Sequence, residues 1–166
     1  MSLTLAAIGA VVAALLNLTI APLLQVSGAQ PDFVLIFAVV WTVVAGFEGG
    51  LVWAFVGGLM IDFLAPRPLG STAFTLLVCV GGAALIARAM VQFKYVVPLV
   101  AVLIFAIVNA LLFLVVYSAL RGPIAAADPV AAVLPGAIYD TVIAAVVGPL
   151  AVAIVARRQD RERLTW

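Results

Sequence analysis

Six blocks of nearly continuous apolar sequence, separated by short polar or helix-breaking interruptions, constrain this chain more than any other feature. They run from about Leu3 to Leu24, Phe33 to Phe47, Gly50 to Leu64, Ser71 to Ala89, Val96 to Leu120 and Leu134 to Ala156. A helix that crosses a bilayer needs about 20 predominantly apolar residues, and these blocks reach or approach that length. The chain has 166 residues, 67% of them hydrophobic and 9% charged, with a mean hydropathy of +1.37. A soluble domain of this size could not bury so much apolar surface, so lipid is the solvent. The pattern predicts an all-α integral membrane protein, a six-transmembrane-helix bundle over residues 1–156 followed by a basic tail at 157–166. The second and third blocks are short and meet at Gly46-Phe47-Glu48-Gly49-Gly50, which reads either as a tight turn or as the bend of one long helix, leaving five spans.

Composition removes several classes of function. The net charge is +1, so no basic field exists for nucleic acid, and there is no histidine, the commonest proton shuttle and metal ligand. The single cysteine, Cys79, has no internal disulfide partner. No cofactor or metal is expected. The first apolar block lacks a basic leader and a small-residue cleavage site, and so reads as a retained helix.

Lysine and arginine placement sets the expected orientation. Arg157, Arg158, Arg161 and Arg163 lie in the tail, and Arg88 and Lys94 flank the turn between the fourth and fifth helices. With six spans these share one side. The other side carries Arg67 and Arg121 beside Asp32, Asp62 and Asp128. Both termini are therefore expected to be cytoplasmic. The tail reads first as a topology anchor in contact with anionic lipid, and second as a docking site for a cytoplasmic partner. Asp128-Pro129 is suited to cap a brief interfacial helix, and Pro135 to the first turn of the sixth span.

Polar and small residues inside the apolar blocks carry the remaining information. Gly50, Ala54, Gly58 and Asp62 recur every fourth residue in the third block, as do Gly136, Asp140, Ala144 and Gly148 in the sixth. Residues four apart share a helix face, and small side chains let helices approach closely in lipid. Both ridges are expected to face protein. Asp62 and Asp140 are expected near one level, lining a shallow outward cleft. Either they bind a ligand or partner there, or each is satisfied by a helix end or by Arg67 or Arg121. A paired-carboxylate hydrolase lacks a nucleophile and a metal, so no enzyme is expected. Ala6, Ala10 and Ala14 form a further smooth face on the first helix, either buried in the bundle or open to a partner's helix. Asn17 and Asn109 are expected to make interhelical hydrogen bonds, Glu48 to be a solvated rim carboxylate, and Trp41, Trp53 and Trp166 to be interfacial or lipid-facing anchors.

Gln30-Pro31-Asp32-Phe33, the glycine-rich turn at 46–50, Gly57-Gly58-Leu59-Met60-Ile61-Asp62 and then Pro68-Leu69-Gly70 follow one another in an order and spacing that resemble the MreD family of rod shape-determining membrane proteins. The resemblance implies a fold similar to the S-components of energy-coupling factor transporters. It also implies a non-enzymatic place in the bacterial elongation machinery, in the inner membrane, beside an MreC-like single-span protein, RodA and a class B penicillin-binding protein, in support of lateral peptidoglycan synthesis. With it, the ridges, Pro31, Asp32 and the turn residues Pro68, Leu69 and Gly70 become candidate cleft or partner contacts. The competing expectation is a small-molecule-binding subunit of a transporter. A proton-coupled carrier built on Asp62 and Asp140 stands behind that.

Overall fold

A computed structural model describes residues 3–26, 29–65, 67–89, 96–121 and 129–163, with the side chains at 117, 120–121, 129–132 and 156–163 excepted. The described residues form α1 (Leu3–Thr19), a 3₁₀ turn (Ala21–Leu24), α2 (Phe33–Ala45), α3 (Phe47–Leu64), α4 (Ser71–Ala89), α5 (Val97–Arg121) and α6 (Pro129–Arg163). Among them there is no strand, only an isolated bridge between Val26 and Ala29. Four helices, α3 to α6, are long and apolar enough to cross a membrane, whereas α1 and α2 have 17 and 13 residues.

The shortest helix is the centre. α2 packs against all five others, and Val34, Leu35, Ile36, Ala38, Val39, Val40 and Thr42 are buried along it. At 1.5 Å per residue it is about 20 Å long, against a hydrocarbon core of about 30 Å. It is too short to cross the slab alone, and its start is held by the surrounding helices. Backbone that stops short of the interface is tolerated only when protein covers it and satisfies its polar groups.

The break after α2 is a single residue. Gly46 has φ +110°, a conformation that L side chains rarely adopt, and α3 begins at Phe47. The tight turn is thus the correct reading, and the long bent helix does not form. α3 starts three residues before the expected Gly50. α6 departs further from expectation: it begins at Pro129 and not at Leu134, and the run expected as a separate interfacial helix is its first turns. Pro135 is consequently an interior residue, as is Pro149. The same helix continues to Arg163, so the first residues of the basic tail are an extension of it. Asp128 and Trp166 lie outside the described residues.

The small-residue ridges face inward. Ala6, Ala10, Ala13 and Ala14 of α1 are buried, while Leu5, Ile8, Val12 and Leu15 point outward. α1 lies mainly on α3, where a Cβ at Gly57 would come within 2.6 Å of Val34 Cγ1 and 3.6 Å of the Ala10 carbonyl oxygen. A Cβ at Gly50 would collide with Thr42 Oγ1, and one at Gly58 with the backbone of Ala73, whose nitrogen would be only 2.7 Å away. Close approach of α3 to α2 and α4 depends on these two glycines. In α6, Ala137, Asp140, Ala144 and Gly148 are buried and Leu134, Ile138, Val142, Val146, Leu150 and Ile154 are exposed.

Trp53 is a core residue and not a membrane anchor. It is 5% exposed, stacks on Phe37 with ring centroids 5.5 Å apart, and meets half-buried Trp41 at 5.7 Å. Glycine makes room for it, since a Cβ at Gly9 would lie 2.6 Å from the Trp53 ring. The expectation failed because composition places tryptophan by its average habit, whereas Gly9 and Phe37 decide its place here.

Gly58→Ala should lower the stability of the detergent-solubilised protein by about 1–3 kcal/mol, the usual cost of an overpacked contact. Gly81→Ala, with nothing within 4 Å of the added Cβ, should be neutral or stabilising by up to about 1 kcal/mol through helix propensity. Thermal unfolding of the two variants side by side checks both.

Candidate functional site

A helix begins with backbone N–H groups that have no intrahelical partner. In lipid each such group left unsatisfied costs several kcal/mol. Two helix starts in this protein are recessed in the bundle, and the polar residues singled out in the sequence gather at them.

The first is the start of α4. The preceding residue, Gly70, has φ +87° and no side chain with which to cap. Asp62, near the end of α3 and 2% exposed, takes that place. Its Oδ2 accepts from the N–H groups of Thr72 at 3.0 Å and Ala73 at 3.4 Å, and its Oδ1 from Thr72 at 3.1 Å. The Ser71 hydroxyl donates to the Pro68 carbonyl at 2.7 Å, with Asp62 Oδ1 as a second acceptor at 3.3 Å. These are the bonds of an N-cap, supplied by the neighbouring helix, and a negative charge there also meets the positive end of the helix dipole. The turn from Pro68 to Ser71 is thereby closed on itself. Gly58, one turn earlier on the same face as Asp62, lets α3 come close enough to Ala73 for the carboxylate to reach.

The second is the start of α2, where three helices contribute. Asp32 is the local N-cap and accepts from Leu35 N–H at 3.1 Å. The Asn17 side-chain oxygen, from α1, accepts from Phe33 N–H at 2.9 Å, and its amide nitrogen lies 3.5 Å from Asp32 Oδ1. Asp140, from α6 and 5% exposed, accepts from Asp32 N–H at 2.8 Å. Beside it the Tyr139 hydroxyl donates to the Leu24 carbonyl at 2.9 Å, tying α6 to the 3₁₀ turn. Two carboxyl groups thus share one helix start.

Of the two readings of Asp62 and Asp140, the bonds match satisfaction by a helix end. Each serves a different helix, and the companion of Asp140 is Asp32. The signal for this was present in the sequence as a combination: a block too short to span, preceded by a capping aspartate. Neither aspartate is matched by an arginine, since no ion pair forms among the described side chains, and the Arg67 guanidinium lies 4.9 Å above the centre of the Phe113 ring. The Arg121 side chain is outside the described set. Asn17 makes the interhelical bonds expected of it. Asn109 does not, because its Oδ1 is buried with no hydrogen-bond partner. Glu48 is exposed at the Gly46 turn, as expected.

The remaining candidates divide by burial. Ala6, Ala10, Ala14, Pro31, Gly50, Ala54, Gly58, Asp62 and Asp140 are all buried within the chain. They lie against other helices of the same chain. Asp32, Pro68 and Gly70 are partly covered. Leu69 is 73% exposed at the tip of the turn, between Phe63 at 76% and Phe74 at 55%. Sequence spacing did not single out these two phenylalanines, because lipid-facing and partner-facing apolar residues look alike in a hydropathy pattern.

Fold and site together define a multipass helical membrane protein whose buried carboxyl groups hold helix starts in place. The chain belongs to the MreD family: the family model, described as rod shape-determining protein MreD, matches residues 2–155. Membership carries a role in determining rod shape. No curated protein and no solved structure matches the chain, so the likeness to transporter S-components is not confirmed.

Asp62→Ala should cost about 1–3 kcal/mol by leaving the Thr72 and Ala73 N–H groups buried and unpaired. Asp62→Asn, which keeps one acceptor, should recover part of that loss. Asp140→Asn should be milder than Asp140→Leu for the same reason. Thermal unfolding in detergent gives the order, and equal losses for Asn and the apolar replacement would show that the capping bonds are unimportant. Asn109→Leu should be neutral or stabilising by up to about 1 kcal/mol, because it removes an unpaired buried acceptor.

Proposed function

We propose that this chain is a non-enzymatic scaffold subunit of the bacterial cell-elongation complex, which holds a transmembrane helix of a partner and so supports lateral peptidoglycan synthesis. Family membership over residues 2–155 is the observation that carries the reading. The expected partner is an MreC-like single-span protein, with RodA and a class B penicillin-binding protein in the same assembly. Both termini face the cytoplasm in this reading, which rests on the arginine-rich tail and Arg88. In the fold, Leu3 of α1, Gly46 and Arg88 surround one cavity, so the chain start and the end of α4 share one end of the bundle.

This reading places the partner away from the internal ridges, which other helices of the chain cover. What supports a docking face is the cluster around the other turn. Phe63, Leu69 and Phe74 project from the ends of α3 and α4, on backbone that the Asp62 cap holds fixed. Large apolar groups on a rigid support bind with less ordering cost than groups on a mobile loop. A partner's helix lying along α3 and α4 would meet Phe63 and Phe74 within the membrane, and Leu69 would meet the segment that emerges from it. The carboxyl groups of the outer end are engaged with helix starts, which leaves little with which to recognise a water-soluble substrate.

Photo-crosslinkers placed at Leu69 and Phe63 in living cells should capture the single-span partner, while one placed at buried Ala10 should not. Leu69→Asp should reduce co-purification of that partner by about tenfold, as expected for an anchor residue, with the melting temperature unchanged. Capture that is undiminished in a well-folded Leu69→Asp protein would count against this face.

A further inference from the structure

At the end of the bundle opposite the two capped helix starts, two cavities meet. One, of about 370 Å³, lies at the rim and is bordered by Leu3, Gly46, Phe47, Glu48, Gly49 and Arg88. The other, of about 420 Å³, is an apolar trough below it that opens sideways between α1 and α6. Leu5 and Gly9 form one wall, Val147, Leu150 and Ala151 are among the residues of the other, and α2 supplies the floor. Trp41 and Ala45 border both cavities, so the rim pocket leads into the trough.

Two features of this place are left unsatisfied by the fold. Glu48 and Arg88 are both exposed and both line the rim pocket, and among the described residues neither makes an ion pair. Trp53, which lines the trough, keeps a buried Nε1–H with no acceptor. It lies six residues into α3, about 9 Å below the rim at 1.5 Å per residue. From the rim downward the chain thus offers a cation and an anion, then a hydrocarbon-lined channel.

We infer that this combined cavity is a binding site for one phospholipid with a zwitterionic, amine-bearing headgroup, of the phosphatidylethanolamine class. The Arg88 guanidinium pairs with the phosphate, for which its planar fork of donors is suited. The Glu48 carboxylate accepts from the primary ammonium group. The glycerol-ester region lies at about the depth of Trp53, whose ring is part of the trough lining. One acyl chain fills the trough between α1 and α6, where it replaces the helix–helix packing that these two helices lack. The charge pattern selects among lipids. An anionic headgroup without an amine places negative charge beside Glu48, and a trimethylated headgroup has no N–H to donate.

The full-length protein, delipidated in mild detergent, is titrated separately with dioleoyl phosphatidylethanolamine, phosphatidylglycerol and phosphatidylcholine and examined by native mass spectrometry. A single-lipid adduct should form with phosphatidylethanolamine at about tenfold lower concentration than with the other two, the scale of one charge-assisted contact. Glu48→Gln and Arg88→Ala change exposed residues and should abolish that preference with unaltered circular dichroism. Ala151→Phe should block the trough and remove the adduct. Should that variant unfold, Leu150→Trp serves the same purpose from the trough's outer edge. Adduct formation that is indifferent to headgroup, or a preference that survives loss of both Glu48 and Arg88, would overturn the inference. So would a crosslinker at Leu150 that captures a protein helix in native membranes in place of lipid.

Discussion

The structure depends on one constraint: a helix that starts inside a hydrophobic slab must have its first N–H groups bonded to something. Water is not available, and local capping reaches only part of the set. The protein meets the constraint by sending acceptors from other helices. Asp62 of α3 serves α4, and Asn17 of α1 and Asp140 of α6 serve α2. Each bond joins segments that lipid alone would not hold together, since apolar side chains gain little by leaving hydrocarbon for protein. Satisfying the backbone and assembling the bundle are therefore one event at these two places.

The glycines and alanines are best understood from the same constraint. An aspartate side chain is short, and it reaches a neighbouring helix only if the backbones are close. Gly58 brings α3 to the backbone of Ala73, and Asp62 one turn on can then reach Thr72. In α6, Ala137 and Ala144 bracket Asp140 and are both buried. The small residues are spacers that set the working distance of the carboxylates. Surfaces so used are covered by the chain's own helices.

Much of this was legible in the sequence. Six apolar blocks gave the helix number, Gly46 lay within the expected turn, and four-residue spacing gave the buried faces of α1, α3 and α6. Asp62 and Asp140 stood out because carboxylates in apolar sequence are costly. Their partners were not legible, because the distance that separates Asp140 from Asp32 in the chain is bridged only when α2 sits at the centre of the bundle. Hydropathy also could not rank Trp53 as core, since its burial depends on Gly9 of another helix. Nor could it place the start of α6, where Pro129 and Pro135 are equally good first-turn residues and the apolar pattern begins between them.

The length of α6 ties the two ends of the molecule together. It runs unbroken for 35 residues, about 52 Å at 1.5 Å per residue, from Pro129 past the apolar span to Arg163. Asp140 fixes it to the start of the central helix on one side, and its helical backbone continues to Arg163 on the other. Pro149, which cannot donate to the helix ladder, lies between the two as a point of compliance. One continuous helix thus joins the end of the bundle where the central helix starts to the basic end of the chain, packed on the way against α2 and α5.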